Sequence, residues 1–353
     1  MNVVTYTKIE KKLLADWLSL WEKSANANYA NAPQWFESAL ETFHYKEYVI
    51  VAIYDNTQLQ AIGAFVKQRK YGISVYTVLP TDFVCGIPFL INLEDAEVLA
   101  IFIKKLLDLD TVFLNNIPQF GVTALQTHTH NIDVTAQTVN FFMPITKDDT
   151  GEIFVPNRKK LLRQIKDSES NFSFKSFDGT SEEGLSIVFA IDKQSRKRQR
   201  GYNTFSDGQI QAFYQSLVTH FKKNLLVNIL YFEKIPVAYE IGFIAGKIYF
   251  GNQIAFIADY SQYSPGKVLL VKLIEHLGAK NIQEIDFGSG DSHTKRMLTN
   301  QYRELYQVIL SKNKLTRNYM KTICPLKDRI YNKLYQNVKL YSAYRMIKKI
   351  FGI

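Results

Sequence analysis

The sequence predicts an α/β fold of the α+β kind, made of two copies of one unit followed by a basic helical tail. Three observations predict it. First, 46% of the 353 residues are hydrophobic and 14% aromatic, the balance of a folded chain with sizeable cores. That length suits two domains of roughly 100–200 residues each. Second, a helix followed by two apolar runs joined by a tight turn occurs twice, about 178 residues apart. Third, the formal net charge of +10 sits at one end. Residues 311–353 carry eleven Lys/Arg and one acid, Asp328, whereas the residues before them balance at 32 of each.

The first unit opens with Leu13, Leu14, Trp17, Leu18 and Trp21 at helical spacing over residues 8–24, with both tryptophans read as core. Pro33 starts a second helix carrying Trp35, Phe36, Ala39 and Leu40. Tyr48–Tyr54, the turn Asp55-Asn56 and Leu59–Val66 form a strand hairpin. Ser74–Leu79 and Thr111–Leu114 read as further strands around a helix from Ala96 to Leu109.

The second unit repeats the plan with a helix at Gly208–Lys223, the strand Leu225–Phe232, the turn Glu233-Lys234 and the strand Val237–Ile244. Between the units, Asn157–Lys166 reads as a basic helix and Asp178–Gly184 as a loop. The cluster Arg196, Arg198 and Arg200 is the densest short basic run, and guanidinium pairs match phosphate or carboxylate oxygens. The expected boundaries are 1–150, 151–312 and 313–353.

Residues 248–310 carry the chemistry. A strand at Ile248–Ile257 leads to Gln262-Tyr-Ser-Pro-Gly-Lys267, where Ser264 suits an N-cap, Pro265 the first helical position and Gly266 a close approach to the backbone. The first-turn N–H groups at Gly266 and Lys267 suit a pyrophosphate. The helix continues to Gly278, and a strand at Glu284–Gly288 puts Asp286 on the face opposite Ile285 and Phe287. Asp291, His293, Lys295 and Arg296 follow in a polar loop. Asp286 and Asp291 are the candidate general bases and His293 a candidate proton relay.

Two cysteines, Cys85 and Cys324, build no disulfide framework and fit a reducing compartment. The N-terminus lacks the apolar core of a signal peptide, and no apolar run reaches the roughly 18–20 residues of a membrane span. The expected location is therefore cytoplasmic. His128-Thr-His130 has no third ligand near it in sequence, so no metal site is expected. No P-loop, zinc-type cysteine pair or Gly-x-Ser-x-Gly elbow occurs. The tail suits an anionic partner, peripherally at the inner face of the membrane. Its stripe of Ile330, Leu334, Val338 and Tyr341 is interrupted by Lys333 and Lys348, against an in-plane membrane helix.

These motifs resemble a family. Arg158–Lys166, the hairpin Leu225–Ile244, Tyr263-Ser-Pro-Gly266 with its Leu-rich helix, and Asp286-Phe-Gly-Ser-Gly-Asp291 with Lys295 are similar to the GNAT acyltransferases. Within these they resemble more closely the cellulose-biosynthesis (CelD/BcsL) type, related to the FemAB proteins. The resemblance covers roughly Asn157–Leu310, and the first half resembles a degenerate GNAT-like unit. It implies two tandem GNAT-like units, each a mixed, mostly antiparallel sheet flanked by helices.

The resemblance also implies a reaction. The acyl group, acetyl foremost, would pass from acyl-CoA to an amine of a sugar nucleotide or lipid-linked sugar in cell-envelope polysaccharide synthesis. The thioester would lie between the strands at Ile248–Ile257 and Glu284–Gly288, with Gln262, Ser264, Gly266 and Lys267 at the cofactor. Tyr263 would protonate the leaving thiolate, and Lys295 and Arg296 would hold an anionic part of a substrate. Pro265 stands where the usual Gln/Arg-x-x-Gly-x-Gly/Ala loop has its first glycine, a departure that looks like the CelD/FemAB branch, whose donors are acyl-CoA or aminoacyl-tRNA. Two rivals follow: a FemAB-like transferase using charged tRNA, and a non-catalytic GNAT-like scaffold docking an envelope synthase or a membrane surface.

Overall fold

The computed structural model describes residues 1–79, 85–163, 169–179, 181, 183–199 and 204–336, with side chains described as far as Leu326. Arg200 and the tail stripe from Ile330 to Tyr341 lie outside the described residues and side chains.

The first half of the chain forms β1 (Asn2–Tyr6), α1 (Lys11–Lys23), α2 (Pro33–Phe43), β2 (Tyr48–Asp55), β3 (Gln58–Lys70), β4 (Ile73–Thr77), β5 (Phe89–Ile91), α3 (Ala96–Leu107), β6 (Thr111–Pro118), α4 (Gln119–His128) and β7 (Ile132–Pro144). The second half forms α5 (Arg158–Leu161), β8 (Phe172–Asp178), α6 (Glu183–Lys193), α7 (Arg196–Gln199), α8 (Gly208–Phe221), β9 (Leu225–Phe232), β10 (Ile235–Ala245), β11 (Ile248–Phe256), α9 (Pro265–Ala279), β12 (Glu284–Ser289), α10 (His293–Leu298), β13 (Tyr302–Ser311) and α11 (Lys314–Gln336). Both expected hairpins are present. Their turns are left-handed at Asn56, Glu233 and Lys234, as the short polar turns require.

One mixed sheet runs through the molecule in the order β1-β2-β3-β4-β6-β13-β7-β12-β11-β10-β9-β8, with β5 beside β3. The two halves exchange strands at its centre. β13, from the end of the chain, pairs antiparallel with β6 of the first half. β7, from the first half, pairs antiparallel with β12 of the second. β13 and β7 also pair with each other, from Tyr302–Phe141 to Leu310–Ile132. The division expected at residue 150 is thus crossed by a strand in each direction, and the two repeats share one sheet.

They share a core as well. Trp35 of α2 is 1% exposed, and its ring meets Phe213 of α8 at 5.0 Å and Phe243 of β10 at 5.7 Å. Tyr29 stacks on Phe243 at 5.0 Å. Trp17 and Trp21 are buried, as expected of core residues. A second core lies under α9, where Val268, Leu269, Leu273, Ile274 and Leu277 pack against β9, β10 and β12.

The beginning of the tail is part of the fold. α11 buries Met320 and Cys324 against Val75, Phe113 and Ile309. Three of its region's cations are paired: Lys312 with Asp108 at 2.7 Å, and Lys321 and Arg317 with Asp133 at 3.0 and 3.4 Å. Among the described residues, no helix is long and apolar enough to cross a membrane.

Candidate functional site

β11 and β12 run parallel, but pair only over Ile248–Glu284, Tyr249–Ile285 and Phe250–Asp286. Beyond Asp286 the register of β12 shifts to follow β7, so that Ser289 pairs with Asn140, while β11 continues along β10 to Phe256. The two strands therefore part at Asp286. β11 carries a register irregularity of its own at this level, opposite Ile241 and Gly242 of β10.

Asp286 is 7% exposed at that parting point. Its Oδ1 accepts from Asn140 Nδ2 at 2.7 Å and from the Gly288 N–H at 2.8 Å, and Arg303 Nη1 lies 3.6 Å from Oδ2. Burial pushes the carboxyl pKa above its ordinary value, opposed by the Asn140 and Gly288 hydrogen bonds and the Arg303 charge. A raised carboxyl is a stronger base once ionised.

The loop after Asp286 is shaped by glycine. Gly288 and Gly290 have φ of +72° and +93°, a region open to glycine and costly for other residues. Lys295 Nζ holds this loop by donating to the carbonyls of Gly288, Ser289 and Gly290 at 2.9, 3.0 and 3.0 Å. Burial brings the Lys295 ammonium down to about 8.

The other loop candidates sit apart from this cluster. Asp291 forms a two-point pair with Arg296, with Arg296 Nε 2.7 Å from Oδ1 and Nη2 against Oδ2. This pairing holds the Asp291 carboxyl below its usual range, where it is a weaker base, and it engages the Arg296 guanidinium. His293 is exposed at the start of α10. Arg196 and Arg198 are exposed on the four-residue α7, which packs near β11.

At α9 the local geometry departs from the expected anion cradle. Ser264 occupies the N-cap position in a left-handed conformation (φ 50°, ψ 49°), and its side chain does not cap the helix. Its carbonyl instead accepts from the Lys267 N–H at 2.9 Å and the Val268 N–H at 3.4 Å, so Lys267 is already engaged within the turn. A Cβ on Gly266 would meet the Phe256 ring at 3.5 Å, an ordinary contact. Tyr263 stacks on Phe232 at 4.8 Å, and Gln262 is exposed.

Several functional candidates carry no local sequence signal. Asn140 and Arg303 reach Asp286 from the exchanged strands β7 and β13, and Cys85 joins through Asn140 Nδ2, 3.2 Å from its Sγ. Burial pushes the Cys85 thiol up to about 12, so it is a neutral thiol rather than a thiolate. Glu240 of β10 is 3% exposed and accepts from Asn228 Nδ2 at 2.8 Å and from the Tyr249 hydroxyl. Burial pushes it up to about 8, which keeps it protonated at neutral pH. A Cβ placed on Gly251 would lie 3.2 Å from Glu240 Oε1 and 3.3 Å from the Asp286 carbonyl, so Glu240 reaches the same parting point from below. Among the described residues, no group of His, Cys, Asp and Glu is arranged to hold a metal ion.

Residues 157–296 match the family model described as acetyltransferase (GNAT) domain. No curated protein matches the chain. Among solved structures it is similar to FemX, at 10% identity and a TM-score of 0.64, over 87% of this chain and 97% of that one. It is also similar to the C-terminal domain of a protein assigned as a lysylphosphatidylglycerol synthetase from Agrobacterium fabrum, at 10% identity, TM-score 0.58, and 86% and 92% coverage. A third is L-PGS from Bacillus licheniformis, at 12% identity, TM-score 0.56, and 86% and 93% coverage. The chain has a GNAT-like mixed α/β fold, and within it residues 157–296 are the part that is similar to a GNAT acetyltransferase domain.

Proposed function

We propose that the protein is an N-acyltransferase that moves an acyl group, acetyl foremost, from acyl-CoA to an amine of a sugar nucleotide or lipid-linked sugar in cell-envelope polysaccharide synthesis. The observation that carries this reading is the parting of β11 and β12 at the buried carboxylate of Asp286. The donor would enter from the α9 side, with Gln262, Ser264, Gly266 and Lys267 along its path, and its thioester would lie between the diverging strands. Among the described residues, the β11 edge beyond Phe250 has no strand partner on the β12 side, and this reading places the tetrahedral oxyanion along that edge.

The neutral amine attacks the thioester carbonyl, the C–S bond breaks, and the amine proton passes to Asp286 Oδ2, since Oδ1 is occupied by Asn140 and Gly288. Tyr263 is the proton source proposed for the leaving thiolate. Asp291, already paired with Arg296, is the weaker candidate base. Asp286→Asn is expected to lower kcat by about 10²–10⁴-fold. Full turnover in this variant would remove Asp286 from the mechanism.

A second reading is an aminoacyl transferase using charged tRNA, with the basic tail on the RNA backbone. It is favoured by the α9 turn, where the Ser264 carbonyl already engages the Lys267 and Val268 N–H groups, leaving fewer free donors for a pyrophosphate than expected. Calorimetry with acetyl-CoA and with charged tRNA separates the two. Micromolar binding of acetyl-CoA supports the first reading and binding of tRNA alone the second.

A further inference from the structure

α11 carries apolar residues on two sides, and the fold packs one of them. Met320 and Cys324 turn inward and close a core with Val75, Phe113 and Ile309. Leu315, Tyr319 and Leu326 are spaced four and seven residues apart, which sets them in a row on the opposite side of the helix. They are 79%, 47% and 50% exposed. At about 1.5 Å per residue the row is about 16 Å long. The Tyr319 hydroxyl donates to the Tyr71 carbonyl at 3.0 Å, which holds its ring at the surface. Exposed leucines scattered singly are ordinary, but an aligned row on a helix whose other side is already packed marks a contact surface.

The ground around this row is cationic. Lys312, Lys314, Arg317 and Lys321 stand against two acids, Asp108 and Asp133. Lys312 and Lys321 are largely exposed in their pairs, and exposed pairs of this kind are screened and weak, so a stronger anion displaces the partner at little cost. Residues 327–353 follow in sequence with seven Lys/Arg and one acid, Asp328. We propose that this face of α11 docks the protein on an anionic phospholipid bilayer, with Leu315, Tyr319 and Leu326 in the headgroup layer and the lysines on lipid phosphates. The occupant follows from having apolar and cationic groups on one face. A second copy would set excess positive charge against its like. A nucleic acid would satisfy the lysines, but its phosphates give Leu315 and Leu326 nothing. A bilayer surface takes both, with phosphate at the level of the lysines and acyl chain beneath. The docking does not rest on the acyl-transfer reading above and holds whichever donor the site uses.

The test is co-sedimentation of the full chain with vesicles of phosphatidylcholine mixed with phosphatidylglycerol, against vesicles of phosphatidylcholine alone. Binding to the anionic vesicles is expected to be tighter by about tenfold or more, and to weaken as salt rises from about 0.1 to about 1 M. Leu315→Ser combined with Leu326→Ser keeps every cation and touches only exposed positions, and it is expected to weaken vesicle binding by about tenfold. Leu315→Trp reads insertion directly: its emission is expected to shift to the blue on anionic vesicles, while the buried Trp17, Trp21 and Trp35 stay unchanged. Equal binding to both vesicles, binding to neither, unchanged binding in the double serine variant, or an unmoved Leu315→Trp emission overturns the proposal. Another occupant of the row overturns it too. That would show as transfer-RNA binding that the double serine variant loses, or as self-association of the wild type, read by sedimentation equilibrium, that this variant abolishes.

Discussion

Asn140 Nδ2 donates to Asp286 Oδ1 at 2.7 Å, although the two residues are 146 positions apart and lie on strands from opposite halves of the chain. The contact exists because β7 crosses into the second unit and pairs with β12. It stabilises the ionised carboxylate and so works against the burial that raises the Asp286 pKa. Removing the donor leaves burial less opposed. In Asn140→Leu the acidic limb of the pH–rate profile, which reports ionisation of the base, should move to higher pH. An unmoved limb in a folded variant would show that Asp286 is not the titrating base.

Lys295 was expected from sequence to hold an anionic part of a substrate, yet its three ammonium protons already meet three carbonyls of the Gly288–Gly290 loop. The same loop supplies the Gly288 N–H that bonds Asp286. Lys295 is thus placed to position Asp286, the base we propose. Lys295→Met should lower kcat by about 10–100-fold, the scale of a small misplacement of reacting groups, and leave KM for the anionic substrate nearly unchanged. A rise in KM at constant kcat would return Lys295 to substrate binding.

The hairpins, the α9 helix and Asp286 were legible because each is announced by neighbours in sequence: apolar runs around a polar turn, Pro265 before a Leu-rich stretch, and a strand ending in glycines. β7 and β13 were not. β7 reads Asp133, Thr135, Gln137 and Asn140 among apolar residues and is mostly half-buried, because it lies between two other strands at the seam of the units rather than on a clean core face. Its partners come from the far end of the chain, so no local pattern identifies them. Asn140, Arg303 and Cys85 were missed for the same reason. The Ser264 cap was misread because its residue type fits the cap, while its left-handed backbone turns the side chain away from that role.

Gly242 is a packing requirement of the buried polar cluster beneath the site. A Cβ there would overlap the Tyr249 phenol and lie 2.7 Å from the Phe250 carbonyl. Tyr249 cannot retreat without losing its bonds to Glu240 and Asn228. Gly242→Ala should therefore destabilise the fold by about 1–3 kcal/mol, the usual range for overpacking, and this is measurable by urea denaturation. A loss below about 0.5 kcal/mol would mean that the phenol has another position available.

Glu240 gives the last prediction its sign. Its carboxyl is raised from 4.5 to about 8 by burial, so the folded state binds this proton more tightly than the unfolded chain does. The contribution is fully present below the unfolded pKa and is lost as pH rises through the folded one, at about 1.4 kcal/mol per pH unit between them. Glutamine keeps the shape and carries no proton to lose. It can still accept from Tyr249 and Asn228 through its oxygen. Glu240→Gln should therefore match the wild type in stability near pH 4–5 and exceed it progressively up to about pH 8, with a gap of a few kcal/mol in denaturation midpoints converted to free energy. A variant that is less stable at every pH would show that Glu240 is held ionised by a partner that glutamine cannot replace.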